Sequence, residues 1–433
     1  MKQSYIMKHK TAFGTFIFIL AALFLSFEMI LQVSPGIMTN QLMAEFNINA
    51  AVLGVIASFY FYSYTLMQIP SGLLYDRFGP RLLITIATVF CSLGALFFGL
   101  THSVFLLATG RFLLGIGSAF AFVGALTVAA RWFSPSLFAL FVGLVQFIGA
   151  IGATCGAYPL AYIIDTFGWR ATMTSLGYIG LGLALLCLIF IRNRPPAEED
   201  HIPDHHAHLG FTQSFKAVIY QKQTWYLGLF SFTNWAPMLM LPALWGVPYI
   251  MGKYHLPNTT AALANSAAWI GMGLFSPVLG WLSDKIKRRT ILLGATSILG
   301  ILVSCALLFI PHLPYAFIYL IFFLIGCASS GNLLCFALAK DINRPSVTST
   351  AMGFNNMTVV LSGAIFQPIV GWILLKFWEG GMENGAPIYT TYSYTCALTM
   401  VPICYFIGLL VSIFCIKETF CKHTYDTYSD QLQ

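Results

Sequence analysis

Long apolar runs leave this chain one kind of environment to fold in. Twelve of them can be marked, at about 12–36, 50–75, 81–100, 103–131, 137–164 and 171–191, then 224–250, 260–282, 290–310, 314–339, 346–375 and 393–416. Each is near the roughly 20 residues needed to cross about 30 Å of hydrocarbon. A segment in lipid has no water for its amides and carbonyls, so it must be a helix or a strand of a closed barrel. The runs are too long and too continuously apolar for alternating barrel strands, so helices follow. Charged residues are 9% of the chain, against about 25% in an ordinary globular protein. The net charge of +7 therefore reports on loops and bilayer, and nucleic acid is not an expected partner.

The loops give an orientation. With the N-terminus in the cytoplasm, 18 of the 22 Lys and Arg lie inside. Arg170, Lys253 and Lys376 lie outside, and Arg111 falls within the membrane. This satisfies the positive-inside rule with both termini cytoplasmic. Lys2, Lys8 and Lys10 before the first run resemble a signal peptide, but no small-residue cleavage site follows, so the run reads as a retained span. The ten cysteines are scattered without a Cys-x-x-Cys pair and read as apolar fillers, with no metal site or cofactor expected.

The chain is also duplicated. Gly72-Leu73-Leu74-Tyr75-Asp76-Arg77-Phe78-Gly79-Pro80-Arg81 is echoed 208 residues later by Gly280-Trp281-Leu282-Ser283-Asp284-Lys285-Ile286-Lys287-Arg288-Arg289. Both are short charged turns between two apolar runs. Phe112-Leu113-Leu114-Gly115 parallels Phe323-Leu324-Ile325-Gly326. Pro135-Ser136, Gly143 and Gln146 parallel Pro345-Ser346, Gly353 and Asn356 at an offset of 210. The hydrophilic stretch 192–223, with Pro195-Pro196, an acidic run and His201, His205, His206 and His208, reads as a solvated linker. It separates an N-terminal six-helix bundle (1–191) from a C-terminal six-helix bundle with a short cytoplasmic tail (224–433). The expected fold is an all-α membrane protein of 12 transmembrane helices in two pseudo-symmetric bundles. A duplicated membrane unit of this kind is most economically a transporter.

Large polar side chains at membrane depth are costly and face a bundle interior or a wet cavity. Here they are Glu28 and Gln32 (span 1), Gln68 (2), Arg111 (4), Gln146 (5), Asn234 (7), Asn265 (8), Asn332 (10), and Asn355, Asn356 and Gln367 (11). Spans 3, 6, 9 and 12 contribute none, as a polar cavity walled by eight helices requires. Glu28 and Arg111, the two deep charges, have similar depths in the outer half. Two readings stand: a fixed ion pair locking helices, or a proton carrier beside a ligand-binding cation. Tyr60, Tyr64 and Gln68 are spaced by four and share a face of span 2, as do Asn265 and Trp269 on span 8. Asn234-Trp235 precede Pro237, Pro242 and Pro248, so span 7 should bend or break near its outer end. The expected substrate-binding set is Tyr60, Tyr64, Gln146, Asn234, Trp235, Asn265, Trp269, Asn332, Asn355 and Asn356. Glu28 and Arg111 are the proton-coupling candidates.

On these residues the chain resembles the major facilitator superfamily over its whole length. Gly72 to Arg81 matches that family's signature turn, Gly-x-Leu-x-Asp-Arg-x-Gly-x-Arg. The second copy departs from it with Lys287 in place of glycine. The resemblance implies that Gly72, Asp76, Arg77, Gly79, Arg81, Asp284, Lys285 and Arg289 are gating residues that bridge the halves on the cytoplasmic side. Leu107, Arg111, Gly115 and Gly117 match the family's fourth-span pattern, with Leu114 where Gln is usual; its Arg is associated with proton coupling. Span 5 lacks the Gly-Pro step common in antiporters, which leans toward symport. The segment from Tyr60 to Arg81, Ala130-Arg131-Trp132-Phe133 and Gly168-Trp169-Arg170 are similar to bacterial carriers of organic anions, amino acids or small peptides. The expectation is a monomeric carrier in a bacterial inner membrane. It would move a small polar solute by alternating access with protons as its partners, and it is not an enzyme. The alternative is a proton-driven efflux carrier of lipophilic compounds.

Overall fold

The structure, a computed structural model, describes residues 2–134, 138–193, 211–311, 313–344 and 347–421. The histidines of the linker, Pro135-Ser136, Pro345-Ser346 and the side chain of Asp76 lie outside the described part. Among the described residues, twelve helical stretches are long and apolar enough to cross a membrane. The first six are Phe13–Ile37, Ala50–Gln68, Arg77–Leu100, Val104–Trp132, Leu140–Phe167 and Trp169–Phe190. The second six are Lys222–Tyr254, Asn258–Ile286, Arg289–Phe309, Tyr315–Ile342, Thr350–Lys376 and Thr391–Phe414. They form two bundles of six, and most span boundaries fall within a few residues of those read from hydropathy, the C-terminal end of span 2 excepted.

Spans are not all continuous helices, and the breaks in spans 4 and 10 follow the duplication. Span 4 is Val104–Ser118 followed by Ala121–Trp132, and span 10 is Tyr315–Ser329 followed by Asn332–Ile342. A break at membrane depth frees backbone groups that must be satisfied within the protein. In span 4, the Gln68 amide donates to the Ala119 carbonyl (3.3 Å) and the Tyr75 hydroxyl to that of Phe120 (2.8 Å). In span 10, Asn234 donates to the Ala328 carbonyl (3.2 Å) and accepts from the Asn332 amide (3.0 Å). Span 7 breaks as its prolines require, with a π-helical segment at Leu241–Trp245. Asn265 donates to the Pro242 carbonyl (2.9 Å) and Gln367 to that of Leu239 (3.0 Å).

Close backbone approach fixes helix pairs within each bundle. A Cβ on Gly115 would run into the Tyr60 carbonyl, and one on Gly326 into that of Ala268. Spans 2 and 4 thus pack as spans 8 and 10 do, with small residues permitting contact where apolar attraction between helices is weak in lipid. Many of the exposed large side chains, among them Phe105, Tyr178, Leu302 and Phe414, are those expected to meet lipid.

The two bundles meet along two seams, both closed at the end opposite the basic loops (the far end). On one seam Ala50 lies on Gly371, Gly54 on the Gln367 carbonyl and Ser58 on the Gly363 carbonyl. On the other, Asn258 bonds Asp165 (3.2 Å), the Tyr158 amide donates to Ser266 (3.3 Å), and Gly273 abuts Ala150. Gly36 of span 1 presses on the Ala243 carbonyl of span 7, and the Tyr389 hydroxyl accepts the Ala50 amide (2.9 Å). Toward the basic end the seams part. Gly72, Gly143, Gly280 and Gly353 have no atom within 4 Å of where a Cβ would sit.

Candidate functional site

Glu28, Tyr60 and Arg111 come together in the first bundle, each almost wholly buried. Gly115 lets span 4 approach span 2 so closely that the Tyr60 side chain stands between the two charges. Its hydroxyl donates to Glu28 Oε2 (3.1 Å), and the Arg111 guanidinium lies 4.7 Å from its ring centroid, a cation–π distance. Arg111 donates to the carbonyls of Leu31 (3.0 Å) and Gln32 (3.4 Å). These lie near the C-terminal end of span 1's α-helix, where orphan carbonyls attract a cation. Ion pairs among the described residues include Arg170 with Glu45 and Arg289 with Asp284 and Asp341. Glu28 and Arg111 form no such pair. Ser118 faces the Glu28 carboxyl, yet Glu28 Oε1 has no hydrogen-bond partner and neither has Arg111 Nε.

The amides of the second bundle divide by use. Asn234 and Asn265 spend their hydrogen bonds on helix breaks, as above, and Asn355 accepts from the Ser231 hydroxyl (2.8 Å). Asn332 Oδ1, Asn355 Nδ2, Asn265 Oδ1 and the Trp269 indole nitrogen are buried without a partner. Such groups cost about 1–3 kcal/mol each unless something polar meets them. Gln146 and Trp235 are half-buried. Asn356 reaches across the seam and donates to Gln68 Oε1 (2.7 Å). Tyr64 stands one helical turn from Tyr60, their rings 5.7 Å apart.

The two signature turns are built differently. Gly79 takes φ 74°, ψ 170°, a region essentially confined to glycine. A Cβ there would also strike the Asn193 side chain, whose oxygen accepts the Arg81 amide (3.1 Å). Arg81 Nε donates to the Leu188 carbonyl (3.0 Å), and Arg77 lies over Phe78. At the matching place Lys287 ends span 8 in the left-handed helical region at φ 54°. Arg289 bonds Asp341 (3.0 Å) and lies 3.8 Å from Asp284, while Lys285 lies over Trp281. These contacts stay within one bundle, with the basic end open.

Three contributors were not legible beforehand. Ser118 lies seven residues after Arg111, on the same helix face, but a small hydroxyl in a span ordinarily bonds its own helix and carries no signal. Asn193 and Asp341 act through the turns, and nothing in their local sequence points there.

A duplicated bundle of twelve broken and unbroken helices, with a buried acid and cation and seams that close at one end, defines a membrane transporter. The model of the Major Facilitator Superfamily matches residues 12–247 and 238–418, and the chain belongs to that superfamily. It is 26% identical to the uncharacterized transporter YybO of Bacillus subtilis, over 61% of this chain and 66% of that one, just under two thirds. It is 25% identical to a probable hexose phosphate transport protein of Chlamydia pneumoniae (72% and 74% covered). It is 24% identical to a probable L-galactonate transporter of Escherichia coli (86% and 83%). A bacterial homologue of the human lysosomal transporter Spinster, solved inward-facing and unoccupied, has the same fold: TM-score 0.77 at 17% identity, covering 94% of this chain and 98% of that one.

Proposed function

We propose that the protein carries a small polar solute, in the first place an organic anion, together with protons by alternating access in a bacterial inner membrane. The basic loops are taken as cytoplasmic by the positive-inside rule, so the structure stands open to the cytoplasm. The observation that carries the reading is that Glu28 and Arg111 share one buried cluster without pairing. A fixed structural ion pair would have them in contact. Separated, Arg111 can trade the Leu31 and Gln32 carbonyls for a substrate carboxylate or phosphate. Glu28, with one free oxygen, is left to exchange a proton. A bare charge sealed in so dry a place costs several kcal/mol, which ties closure of the cavity to the proton. The names of two relatives, a hexose phosphate and an L-galactonate transporter, favour an anion over an amino acid or peptide.

The test is uptake into proteoliposomes with an imposed pH gradient, using hexose 6-phosphate, L-galactonate and simple dicarboxylates as probes. A gradient should raise accumulation about tenfold or more for at least one. Glu28→Gln should lose that response and keep exchange of solute for solute. Gradient-driven uptake undiminished in Glu28→Gln removes Glu28 from the coupling role, and uptake indifferent to the gradient in the unmodified protein removes symport.

A further inference from the structure

We infer that Asn356 is the residue through which the second bundle senses the state of Glu28, with Gln68 as its partner. The inference rests on the reading of Glu28 as the proton carrier. Spans 2 and 11 run antiparallel as a ladder: Ala50 with Gly371, Gly54 with Gln367, Ser58 with Gly363, then Gln68 with Asn356. The upper rungs involve backbone and small residues. The Gln68–Asn356 rung joins two side chains at 2.7 Å. The next in order, Gly72 and Gly353, has open space on both sides. Asn356 therefore sits at the last closed rung before the opening.

The same carboxamide is tied to the charge cluster. It lies against Tyr64, whose ring neighbours Tyr60, which donates to Glu28. Gln68 in turn donates to the Ala119 carbonyl (3.3 Å), one residue beyond Ser118, which faces Glu28. Asn356 and Gln68 thus adjoin both elements whose hydroxyl residues face Glu28, span 2 with Tyr60 and the span 4 break beside Ser118. The titratable groups facing Glu28 are Tyr60 and Tyr64 on span 2, Cys91 on span 3 and Arg111 on span 4, all in the first bundle. Asn356 reaches Glu28 through the tyrosines and, by way of Gln68, through the span 4 break beside Ser118. Each tyrosine has one hydrogen to give, and an amide side chain both gives and accepts. Charge on Glu28 strengthens the Tyr60 hydrogen bond, and its loss weakens it. Tyr60 packs against Tyr64 with rings 5.7 Å apart, so a shift of Tyr60 is passed by contact to the tyrosine that Asn356 lies against. A contact that differs between two states of a site is what couples that site to a moving element.

The experiment needs no substrate: hydrogen–deuterium exchange of the intact protein in lipid nanodiscs, corrected for the intrinsic effect of pH, over segments 68–76 and 350–356. In the unmodified protein protection there should change several-fold between pH 5 and 8, and in Glu28→Gln it should not. Asn356→Leu should lose the response while keeping its melting temperature within a few degrees. The exchanged pair Gln68→Asn with Asn356→Gln, which conserves the summed length of the two amides, should recover it; a merely space-filling role predicts no such rescue. A pH response of unmodified size in Asn356→Leu, or none in the exchanged pair, overturns the inference and leaves Glu28 in place. A response retained in Glu28→Gln overturns the reading beneath it.

Discussion

Tyr60 does two jobs that a charge-based reading of the sequence separates. Its hydroxyl serves Glu28 and its ring serves Arg111, so Tyr60→Phe removes the first and keeps the second. A hydrogen bond to a charged group is worth about 1.5–3 kcal/mol. Gradient-driven uptake should fall roughly tenfold or more, with the protein still folded by its melting temperature, and Tyr60→Ala should also lose the Arg111 contact and melt lower. Uptake unchanged in Tyr60→Phe would show the hydroxyl idle. Glu28 and Arg111 were legible in the sequence because a charge inside an apolar run stands out against lipid, and Tyr60 because its spacing with Tyr64 and Gln68 marks one helix face. That Arg111 gives its hydrogens to Leu31 and Gln32 carbonyls was not legible, since every residue carries a carbonyl and only the packing of span 1 presents those two. The amide list was legible as a set and not in its division. Asn234 looked like a cavity residue and serves the break in span 10, and that break has no sequence mark of its own.

At the scale of elements, existence was plain and ends were not. Twelve runs became twelve spans because length and hydropathy suffice for that. Their ends depend on partners distant in sequence, as span 9 illustrates. Its first turn is capped by Glu418 from the C-terminal tail, which accepts from the Thr290 amide (2.9 Å) and hydroxyl (2.7 Å). Thr419 beside it donates to Asp341, the partner of Arg289. Partial burial opposes the charge of Glu418, but the Thr290 hydroxyl and the amides of Thr290, Arg289 and Phe420 outweigh it and hold the carboxyl below its ordinary value. A group depressed in the folded state contributes stability that is complete above the ordinary carboxylate value and is lost as pH falls through the folded one. Glu418→Gln should therefore lower the melting temperature by a few degrees at pH 7, with the gap to the unmodified protein narrowing steadily below about pH 4.5. A gap independent of pH would mean that the charge does no capping. The second signature turn, where Lys287 replaces glycine, is thus held from outside itself, by the tail and Asp341, whereas the first is held by Gly79 and Asn193.

Over the whole molecule the two seams share one rule. On spans 5 and 8 the pairs Asp165–Asn258, Tyr158–Ser266 and Ala150–Gly273 descend in steps of seven or eight residues, and the next pair in order is Gly143–Gly280. On spans 2 and 11 the next pair is Gly72–Gly353. All four glycines stand in open space in this state, and the pairs are exchanged by the duplication that the repeated turn announced. Closure of the basic end then needs no new kind of contact, only another rung on each ladder, with glycine allowing the backbones to meet as they do at Gly54. The prediction separates the two ends. Gly72→Trp or Gly353→Trp finds room in the present state, so the protein should fold and melt normally, yet its basic end should stay open and uptake should fall to near background. Gly54→Trp has no room, since even a Cβ would lie 2.6 Å from the Gln367 carbonyl, so it should prise the far end apart. Hydrogen exchange should then rise across residues 50–56 in Gly54→Trp and remain low there in Gly72→Trp. Normal transport in Gly72→Trp would sink the ladder as the route of closure, and unchanged exchange in Gly54→Trp would show that the far end is held elsewhere.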